Sequence, residues 1–211
     1  MPAYALLMTD ENARIPGLMK TIAIDLDDTL NNFTEILQRS EFVRDETHAV
    51  SDEVFQDYLG KLRAGVPDDG GLLSTEFTFF RYKIHYECYR RAQARTDGVS
   101  FVRWLKDDGW RIVICTQRDL RRAQDCTRKW LADNDIPFDY LFMAGNKIVF
   151  CKLWGIKHLV DNDPFAIAHG ELHGVNVYYP DSGQPRDAQV RLPHGARAFK
   201  TFEEIIPWIQ G

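Results

Sequence analysis

Three carboxylates follow directly on an apolar run near the start of the chain. The stretch from residue 21 to residue 33 reads TIAIDLDDTLNNF, and its acidic residues are Asp25, Asp27 and Asp28. Acidic residues at the end of a buried strand have two interpretations: a solvated turn, or one wall of a site that binds a metal ion and a phosphate. The residues at the ends of the other predicted strands decide between them.

Side chains of complementary chemistry lie near the ends of later apolar runs. Thr116 and Gln117 come at the end of WRIVICTQ, Lys147 opens the segment KIVFCKLWG, and Asp161 and Asn162 follow IKHLV. Because the carboxyl ends of parallel strands meet at one edge of a sheet, we expect these residues to lie near the three aspartates. Carboxylates suit Mg²⁺, and a lysine beside helix N-termini suits a phosphate group.

The elements that position these residues alternate along the chain after residue 100. Short apolar runs predict strands, and helical patterns lie between them. The predicted strands are 21–26, 110–116, 138–145, 156–161 and 174–180. This alternation predicts an α/β fold with a five-stranded, doubly wound, Rossmann-like parallel sheet and Asp25 on its central strand.

Residues 31–96 interrupt this alternation with helical patterns and no convincing strand. The predicted helices cover roughly 33–46, 51–63 and 74–95. The sequence therefore predicts a helical cap, inserted after the first strand of a core that is formed by residues 19–30 and 97–211. Residues 1–18 precede the first strand, and we expect them to be an N-terminal extension that the fold does not require.

The predicted helix over 74–95 carries apolar residues on two opposite sides. One side has Phe77, Phe80, Ile84 and Cys88, and the other has Phe79, Tyr82, Tyr86 and Tyr89. A surface helix needs one apolar face, so two such faces predict contacts on two sides. The tyrosine side either packs inside the cap, lines a substrate pocket or forms a subunit contact.

The composition of the chain argues against several classes of protein. The 211 residues are 45% hydrophobic and 27% charged with a net charge of −5, which argues against a general nucleic-acid or membrane-surface binder. No apolar run approaches the ~20 residues of a membrane span, and the first residues lack the features of a secretory signal. The four cysteines have no zinc-ligand spacing, so we expect free, buried thiols in a cytoplasmic protein. The oligomeric state cannot be inferred.

The order of the motifs resembles a known signature. The run Asp25-Leu26-Asp27-Asp28-Thr29, then Thr116, Lys147 and the segment VDND are similar to the four motifs of the haloacid dehalogenase (HAD) superfamily. The match keeps the family's order and covers roughly residues 19–180. Within the family, IDLDDTLNNF and NKIVFCKLWGIKHLVDNDP look most similar to the 5'(3')-deoxyribonucleotidase-like branch. The resemblance implies a HAD-like core with a cap and a phosphatase activity.

The resemblance also implies a role for each motif residue. Asp25 is then the nucleophile that forms an aspartyl-phosphate, and Asp27 is the general acid and base. Thr116, Gln117 and Lys147 would bind the phosphate. Mg²⁺ would be held by Asp25, Asp27, Asp161 and Asn162, with Asp27 contributing its main-chain carbonyl.

The last motif departs from the pattern of the nucleotidase-like branch. That branch usually has two adjacent aspartates there, whereas this chain has Asn162 in the second place and Asp163 after it. The inner-sphere metal ligand is therefore open among Asp161, Asn162 and Asp163. Lys152 and Lys157 are rivals for the lysine role, which Lys147 is predicted to fill because the family's lysine usually opens the helix before the last motif.

Structural interpretations account for other polar residues. Asp28 and Asp163 are typical of turns and helix caps, and Arg121 and Arg122 are expected on an exposed helix face. Arg118 is expected on the same face, with contact to the substrate as the alternative. His169 and His173 have a spacing that zinc could use, but no third ligand lies nearby in sequence, so they are expected to be exposed.

The sequence therefore predicts a Mg²⁺-dependent phosphomonoesterase that acts on a small phosphorylated metabolite, with a nucleoside monophosphate as one candidate. The first alternative is a phosphomutase or a phosphatase of a phosphorylated macromolecule. The second is a binding protein that has kept the fold and lost turnover, and Asn162 is the one feature that favours it.

Overall fold

A seven-stranded sheet forms the centre of the chain in a computed structural model, which describes residues 6–8, 20–38, 85–181 and 194–210. The strands are β1 (Leu6–Met8), β2 (Thr21–Ile24), β3 (Arg111–Thr116), β4 (Tyr140–Met143), β5 (His158–Val160), β6 (Asn176–Pro180) and β7 (Ala196–Phe199). Their order in the sheet is β1-β4-β3-β2-β5-β6-β7. All neighbouring pairs are parallel except β1 and β4. The strand that leads to Asp25 is therefore central, as predicted.

The described helices connect and flank these strands. They are α1 (Phe33–Gln38), α2 (His85–Arg91), α3 (Thr96–Asp107), α4 (Leu120–Asp133), α5 (Lys147–Trp154), α6 (Pro164–His169) and α7 (Ile206–Gln210), with 3₁₀ turns at Glu171–His173 and Phe202–Ile205. None of the helices in the described ranges combines the length and apolar character that crossing a bilayer requires.

The sheet is covered on both faces, which explains the unbroken apolar runs of its central strands. Every residue of β3 after Arg111 is buried. On one face Ala23, Val113 and Leu159 pack in a cluster with Ile148 of α5 and Ile167 of α6. Helix α3 contacts β3 and the 3₁₀ turn at Phe202–Ile205. The α/β class and the doubly wound parallel arrangement are confirmed.

All five predicted strands are present, and the sheet has two more. Strand β7 adds a sixth parallel strand, and three of its four residues are not buried, which explains its weak apolar signal. Strand β1 pairs antiparallel with β4 through Leu6↔Phe142 and Met8↔Tyr140. Residues 6–8 of the predicted N-terminal extension therefore form one edge strand of the sheet. That the fold does not require residues 1–18 stays a prediction.

The chain divides into two compact units, residues 1–32 with 93–211, and residues 33–92. Within the second unit, α1 and α2 contact each other, and the Phe33 ring stacks on Tyr89 at a centroid distance of 5.2 Å. Tyr89 therefore packs within its own unit. The predicted helix over 51–63 and most of the two aromatic faces, including Tyr82, lie outside the described residues.

Candidate active site

The carboxyl ends of β2, β3 and β5 lie side by side. Ile24 is paired with Ile114 on one side and with Val160 on the other. The Asp25 N–H continues this ladder by donating to the Val160 carbonyl oxygen at 2.9 Å. Asp25, Thr116 and Asp161 are consequently brought to one edge of the sheet, and all three are buried.

A tight turn follows β2 and orients the next carboxylate. The Leu26 carbonyl oxygen accepts hydrogen bonds from the N–H groups of Thr29, Leu30 and Asn31. Asp28 adopts a φ of 59°, in the left-handed region that Asp tolerates better than most residues. Asn31 closes the turn with its side chain, which accepts from the Asp28 N–H at 3.2 Å and donates to Asp27 Oδ1 at 3.1 Å.

Lys147 lies between two buried carboxylates. Its Nζ donates to Asp25 Oδ1 at 2.6 Å and to Asp161 Oδ1 at 3.0 Å. Helix α5 places it there, because Asn146 caps the helix by accepting from the Val149 N–H at 3.1 Å. Lys147 is thus the lysine of the group, whereas its rivals Lys152 and Lys157 are exposed.

Burial and charge act in opposite directions on these groups. Burial raises the pKa of Asp25 to about 7, although the Lys147 ammonium opposes the shift. Burial likewise raises the pKa of Asp161 against the effect of Lys147. For Lys147 burial disfavours the charged form, but the two carboxylates more than offset it and hold its pKa above the usual value. The lysine therefore stays charged and partly neutralises the carboxylate pair.

Arg118 lies behind Asp27 and is buried, which corrects the expectation of an exposed helix face. Its Nε donates to Asp27 Oδ2 at 2.9 Å and its Nη2 donates to Asp27 Oδ1 at 2.6 Å. Burial alone would raise the pKa of Asp27, but the guanidinium holds it below the usual value. Arg121 and Arg122 are exposed, as predicted.

The two predicted phosphate-binding residues of β3 differ in environment. Thr116 is buried at the end of the strand, and its Oγ1 accepts from the Arg118 N–H at 3.4 Å. Gln117 is exposed, and its Nε2 donates to Asp163 Oδ2 at 3.2 Å. Thr116 thus contacts the backbone of Arg118, whose side chain binds Asp27, whereas Gln117 faces the end of β5.

Asp163 acts as a helix cap. Its Oδ1 accepts from the Phe165 N–H at 2.9 Å at the start of α6, and its Oδ2 accepts from Gln117. Asp161 differs, since its Oδ2 is buried and has no hydrogen-bond partner among the described residues. Asn162 Oδ1 lies 3.4 Å from Thr29 Oγ1, which is itself 3.3 Å from Asp25 Oδ2.

These oxygens fit a magnesium ion. A buried carboxylate oxygen without a partner costs free energy, and coordination of a cation at Asp161 Oδ2 removes that cost. No cluster of three His, Cys, Asp or Glu side chains with metal-binding geometry occurs among the described residues. Mg²⁺ does not need one, because it is usually held by one or two carboxylates and keeps several waters. Asp25 and Asp161 with the amide oxygen of Asn162 suit that requirement, and Asp163 is already engaged as a cap.

The remaining candidates stay outside this group. The His169 ring packs on Phe165 with a centroid distance of 4.4 Å, and His173 is exposed. All four cysteines are buried and free, as predicted.

Sequence analysis missed the parts played by Thr29, Asn31 and Thr127, whose side chains contact Asp25, Asp27 and Arg118. Thr29 ends the first motif and Asn31 follows it closely, so their positions in the turn after β2 were the available signal.

Known structures share this fold. A HAD phosphatase from Thermococcus onnurineus is 17% identical, with a TM-score of 0.60, and the match covers 92% of this chain and 99% of that chain. A HAD protein from Bacillus subtilis bound to magnesium is 14% identical with a TM-score of 0.62, and an L-2-haloacid dehalogenase from Xanthobacter autotrophicus is 11% identical with a TM-score of 0.60. Both matches cover 92% of this chain and 99% of the other. No family model and no curated protein matches the sequence. The fold is therefore HAD-like.

Proposed function

We propose that this chain is a Mg²⁺-dependent phosphomonoesterase of the HAD type, which releases phosphate from a small phosphorylated metabolite through an aspartyl-phosphate. The observation that carries the proposal is the buried group in which Lys147 bridges Asp25 and Asp161, with Asp27 held in the turn that follows Asp25. A solvated turn has no need of such a group. Removing charged side chains from water costs considerable free energy. We infer that the group is retained in spite of this cost because it serves the activity.

In the first step a carboxylate oxygen of Asp25 attacks the phosphorus atom, and the bond from phosphorus to the ester oxygen breaks. Asp27 donates a proton to the departing alkoxide. Lys147 reduces the repulsion between the Asp25 carboxylate and the phosphate dianion, and the Thr116 hydroxyl binds a phosphoryl oxygen.

In the second step a water oxygen attacks the phosphorus of the aspartyl-phosphate. Asp27, now ionised, accepts the proton of that water, and the Asp25 carboxylate leaves. The two steps return both aspartates to their starting states. Splitting one displacement in two in this way is the usual advantage of a covalent intermediate.

Asp25, Asp161 and Asn162, with the main-chain carbonyl of Asp27, would hold the magnesium ion. The bound ion supplies positive charge that offsets the charge of the transferring phosphoryl group. With every group ionised, the carboxylates of Asp25, Asp27 and Asp161 exceed the cations Lys147 and Arg118 by one charge. A bound divalent cation would therefore reverse the excess negative charge of the site, which would then suit the phosphate dianion of the substrate.

Asp27 favours phosphate-ester hydrolysis over dehalogenation. The solved structures of similar fold include both a phosphatase and a dehalogenase, so fold alone leaves the two chemistries open. A halide leaves without a proton, whereas the alkoxide of a phosphate ester needs one. A second carboxylate beside the nucleophile meets that need.

For the substrate we propose a nucleoside monophosphate, which rests on the resemblance of the motifs to the deoxyribonucleotidase-like branch. A phosphomutase would need a sugar bisphosphate activator, so release of free phosphate without one argues against it. A binding protein that has lost turnover would bind a phosphate ester and leave it intact.

The test is a phosphate-release assay over a panel of phosphorylated metabolites, with Mg²⁺ and with EDTA. The panel includes nucleoside monophosphates, sugar phosphates and a phosphopeptide. We expect Mg²⁺-dependent release from a small ester in the wild type and none in Asp25→Asn. Absence of release from every compound with Mg²⁺ present would exclude the proposed function.

A further inference from the structure

Arg118 is a fully enclosed arginine beside the carboxylate assigned to proton transfer. Its side chain is 0% exposed, whereas that of Asp27 is 21% exposed. The arginine therefore lies behind Asp27 on the protein side, and the carboxylate keeps one side open. In this position Arg118 acts on the site through Asp27.

The guanidinium holds both oxygens of Asp27 at once. Nε contacts Oδ2 at 2.9 Å and Nη2 contacts Oδ1 at 2.6 Å, which is the fork arrangement that fixes a carboxylate plane. Asn31 Nδ2 adds a further contact to Oδ1 at 3.1 Å. With both oxygens engaged, the carboxylate cannot rotate about its bond to Cβ without losing hydrogen bonds.

The arginine is itself held from the other side. Its Nη1 donates to Thr127 Oγ1 at 3.1 Å, and Thr127 is 0% exposed in the middle of α4. Threonine is a weak helix former, and a buried hydroxyl needs a partner. The contact satisfies the hydroxyl and leaves the guanidinium one orientation, so α4 determines the orientation of Asp27 through Arg118.

We propose that Arg118, supported by Thr127, is a positioning residue that fixes the Asp27 carboxylate for proton transfer. The inference rests on the proposed phosphatase function. It predicts that loss of the fork slows the steps in which a proton moves and spares a step in which none moves.

An aryl phosphate separates the two kinds of step. With 4-nitrophenyl phosphate, the bond from Asp25 to phosphorus forms as the bond to the aryl oxygen breaks, and nitrophenolate leaves with the electron pair and without a proton. Hydrolysis of the resulting aspartyl-phosphate still requires Asp27, ionised by loss of its proton to bulk water, to accept the proton of the attacking water molecule. An alkyl phosphate requires Asp27 in both steps.

The experiment follows nitrophenolate in a stopped-flow instrument for the wild type, Arg118→Lys and Thr127→Val, all with Mg²⁺. In Arg118→Lys we expect a burst of about one nitrophenolate per active site, with a rate constant within about twofold of wild-type single turnover. The steady-state rate that follows should fall roughly 10²-fold, the lower end of the contribution of general acid–base catalysis. Turnover of an alkyl phosphate should fall at least as much. Thr127→Val keeps the arginine and should show the same pattern more weakly.

Arg95→Lys is the matched control. Arg95 Nε and Nη2 contact Asp97 Oδ1 and Oδ2 at 3.3 and 3.1 Å, so the same kind of fork is removed with no contact to Asp27. Both kinetic phases should stay at wild-type values. The melting temperatures of all variants identify any that are unfolded at the assay temperature, and Thr127→Val then serves in place of Arg118→Lys.

The outcomes distinguish failure of the positioning role of Arg118 from failure of the proposed phosphatase function. If Arg118→Lys slows the burst and the steady state equally, Arg118 supports the whole site or binds phosphate, and the positioning role is wrong. It is also wrong if neither phase changes. A wild type that hydrolyses no phosphate ester, or an Asp25→Asn variant with wild-type turnover, instead overturns the proposed function on which the inference rests.

Discussion

Two ion pairs in the described part of this chain differ strongly in their contact with water. At the carboxyl edge of the sheet, the side chains of Lys147 and Asp25 are 4% and 5% exposed. On the outer surface of α4, those of Lys129 and Asp133 are 70% and 56% exposed. A buried ion costs several kcal/mol of lost hydration, which its partner often fails to repay, whereas an exposed pair costs and contributes little. The edge group, which consists of Asp25, Lys147 and Asp161, is therefore poorly explained by stability, and the proposed catalytic function accounts for it better.

The sharpest test of this contrast is Asp25→Asn. The change is nearly isosteric, but it removes the proposed nucleophile and one proposed metal ligand, so turnover should fall by several orders of magnitude. The melting temperature should not fall much, because the Asn keeps the shape and Lys147 keeps Asp161 as its partner. Turnover and thermal unfolding are measured on the same preparation.

The control for Asp25→Asn is Asp133→Asn, the same substitution in an exposed pair. It should leave turnover at the wild-type value. Asp27→Asn is intermediate, with turnover reduced by roughly 10²–10⁴-fold and phosphate binding retained. If Asp25→Asn unfolds the protein at room temperature, the edge carboxylates are structural and the contrast between the two environments fails.

The second test removes the cation of the edge group. Lys147→Met leaves Asp25 and Asp161 close together without the charge between them, and breaking a buried pair in this way costs about 3–5 kcal/mol. Mg²⁺ should restore part of the loss, since a cation between the carboxylates replaces some of the missing charge. The free energy of unfolding is measured by denaturant titration with and without Mg²⁺.

The loss in Lys147→Met should also be smaller at pH 5 than at pH 8, because the carboxylates can then be protonated. An unfolding free energy equal to that of the wild type at both pH values would show that Lys147 contributes nothing to the edge group. Lys152→Met, at an exposed position of the same helix, is the control and should behave like the wild type.

Local signals in the sequence predicted much of this edge. Apolar runs indicated the strands, and the order of Asp25, Thr116, Lys147 and Asp161 after those runs indicated which residues meet. These predictions work because the strand ends of a parallel sheet must share an edge, whatever the details of packing.

Other features depend on partners far away in sequence, which no local pattern reveals. Arg118 is buried because its fork is matched by Asp27, 91 residues earlier in the chain. Strand β1 has three residues and exists through its pairing with β4, so its own sequence carries no clear strand pattern. The proposed choice of metal ligands among Asp161, Asn162 and Asp163 rests on which of their oxygens already accept hydrogen bonds, and only the structure shows those bonds.

A smaller effect concerns the pH dependence of stability in the metal-free protein. The pKa of Asp25 is about 7 in the folded chain, whereas the ordinary pKa of an aspartate in an unfolded chain is 3.8. Between about pH 4 and pH 7 the folded state holds a proton that the unfolded state has lost, so this group's contribution to stability falls as the pH rises through that window. In Asp25→Asn this decrease in stability with rising pH does not occur, because the Asn side chain does not titrate.

The melting temperature of Asp25→Asn minus that of the wild type should therefore increase from pH 4 to pH 7 and level off above it. Both proteins are measured in EDTA, because a bound cation would favour the ionised form of Asp25. A difference that stays constant over the window would mean that Asp25 titrates at its ordinary pKa, and the burial argument for the edge group would lose its support.

The smallest effect is expected at the exposed pair. In Lys129→Ala the contact of Nζ with Asp133, 2.9 Å from each carboxylate oxygen, is lost. Pairs of this i,i+4 type contribute about 0.3–0.5 kcal/mol, which corresponds to about 1 °C in a chain of this size. Salt should abolish even this difference, since exposed charges are screened, whereas the cost of Lys147→Met should persist in salt because its partners are buried. Melting curves at low and high salt compare the two directly. A large, salt-resistant loss in Lys129→Ala would show that exposure to water does not decide what an ion pair contributes in this chain.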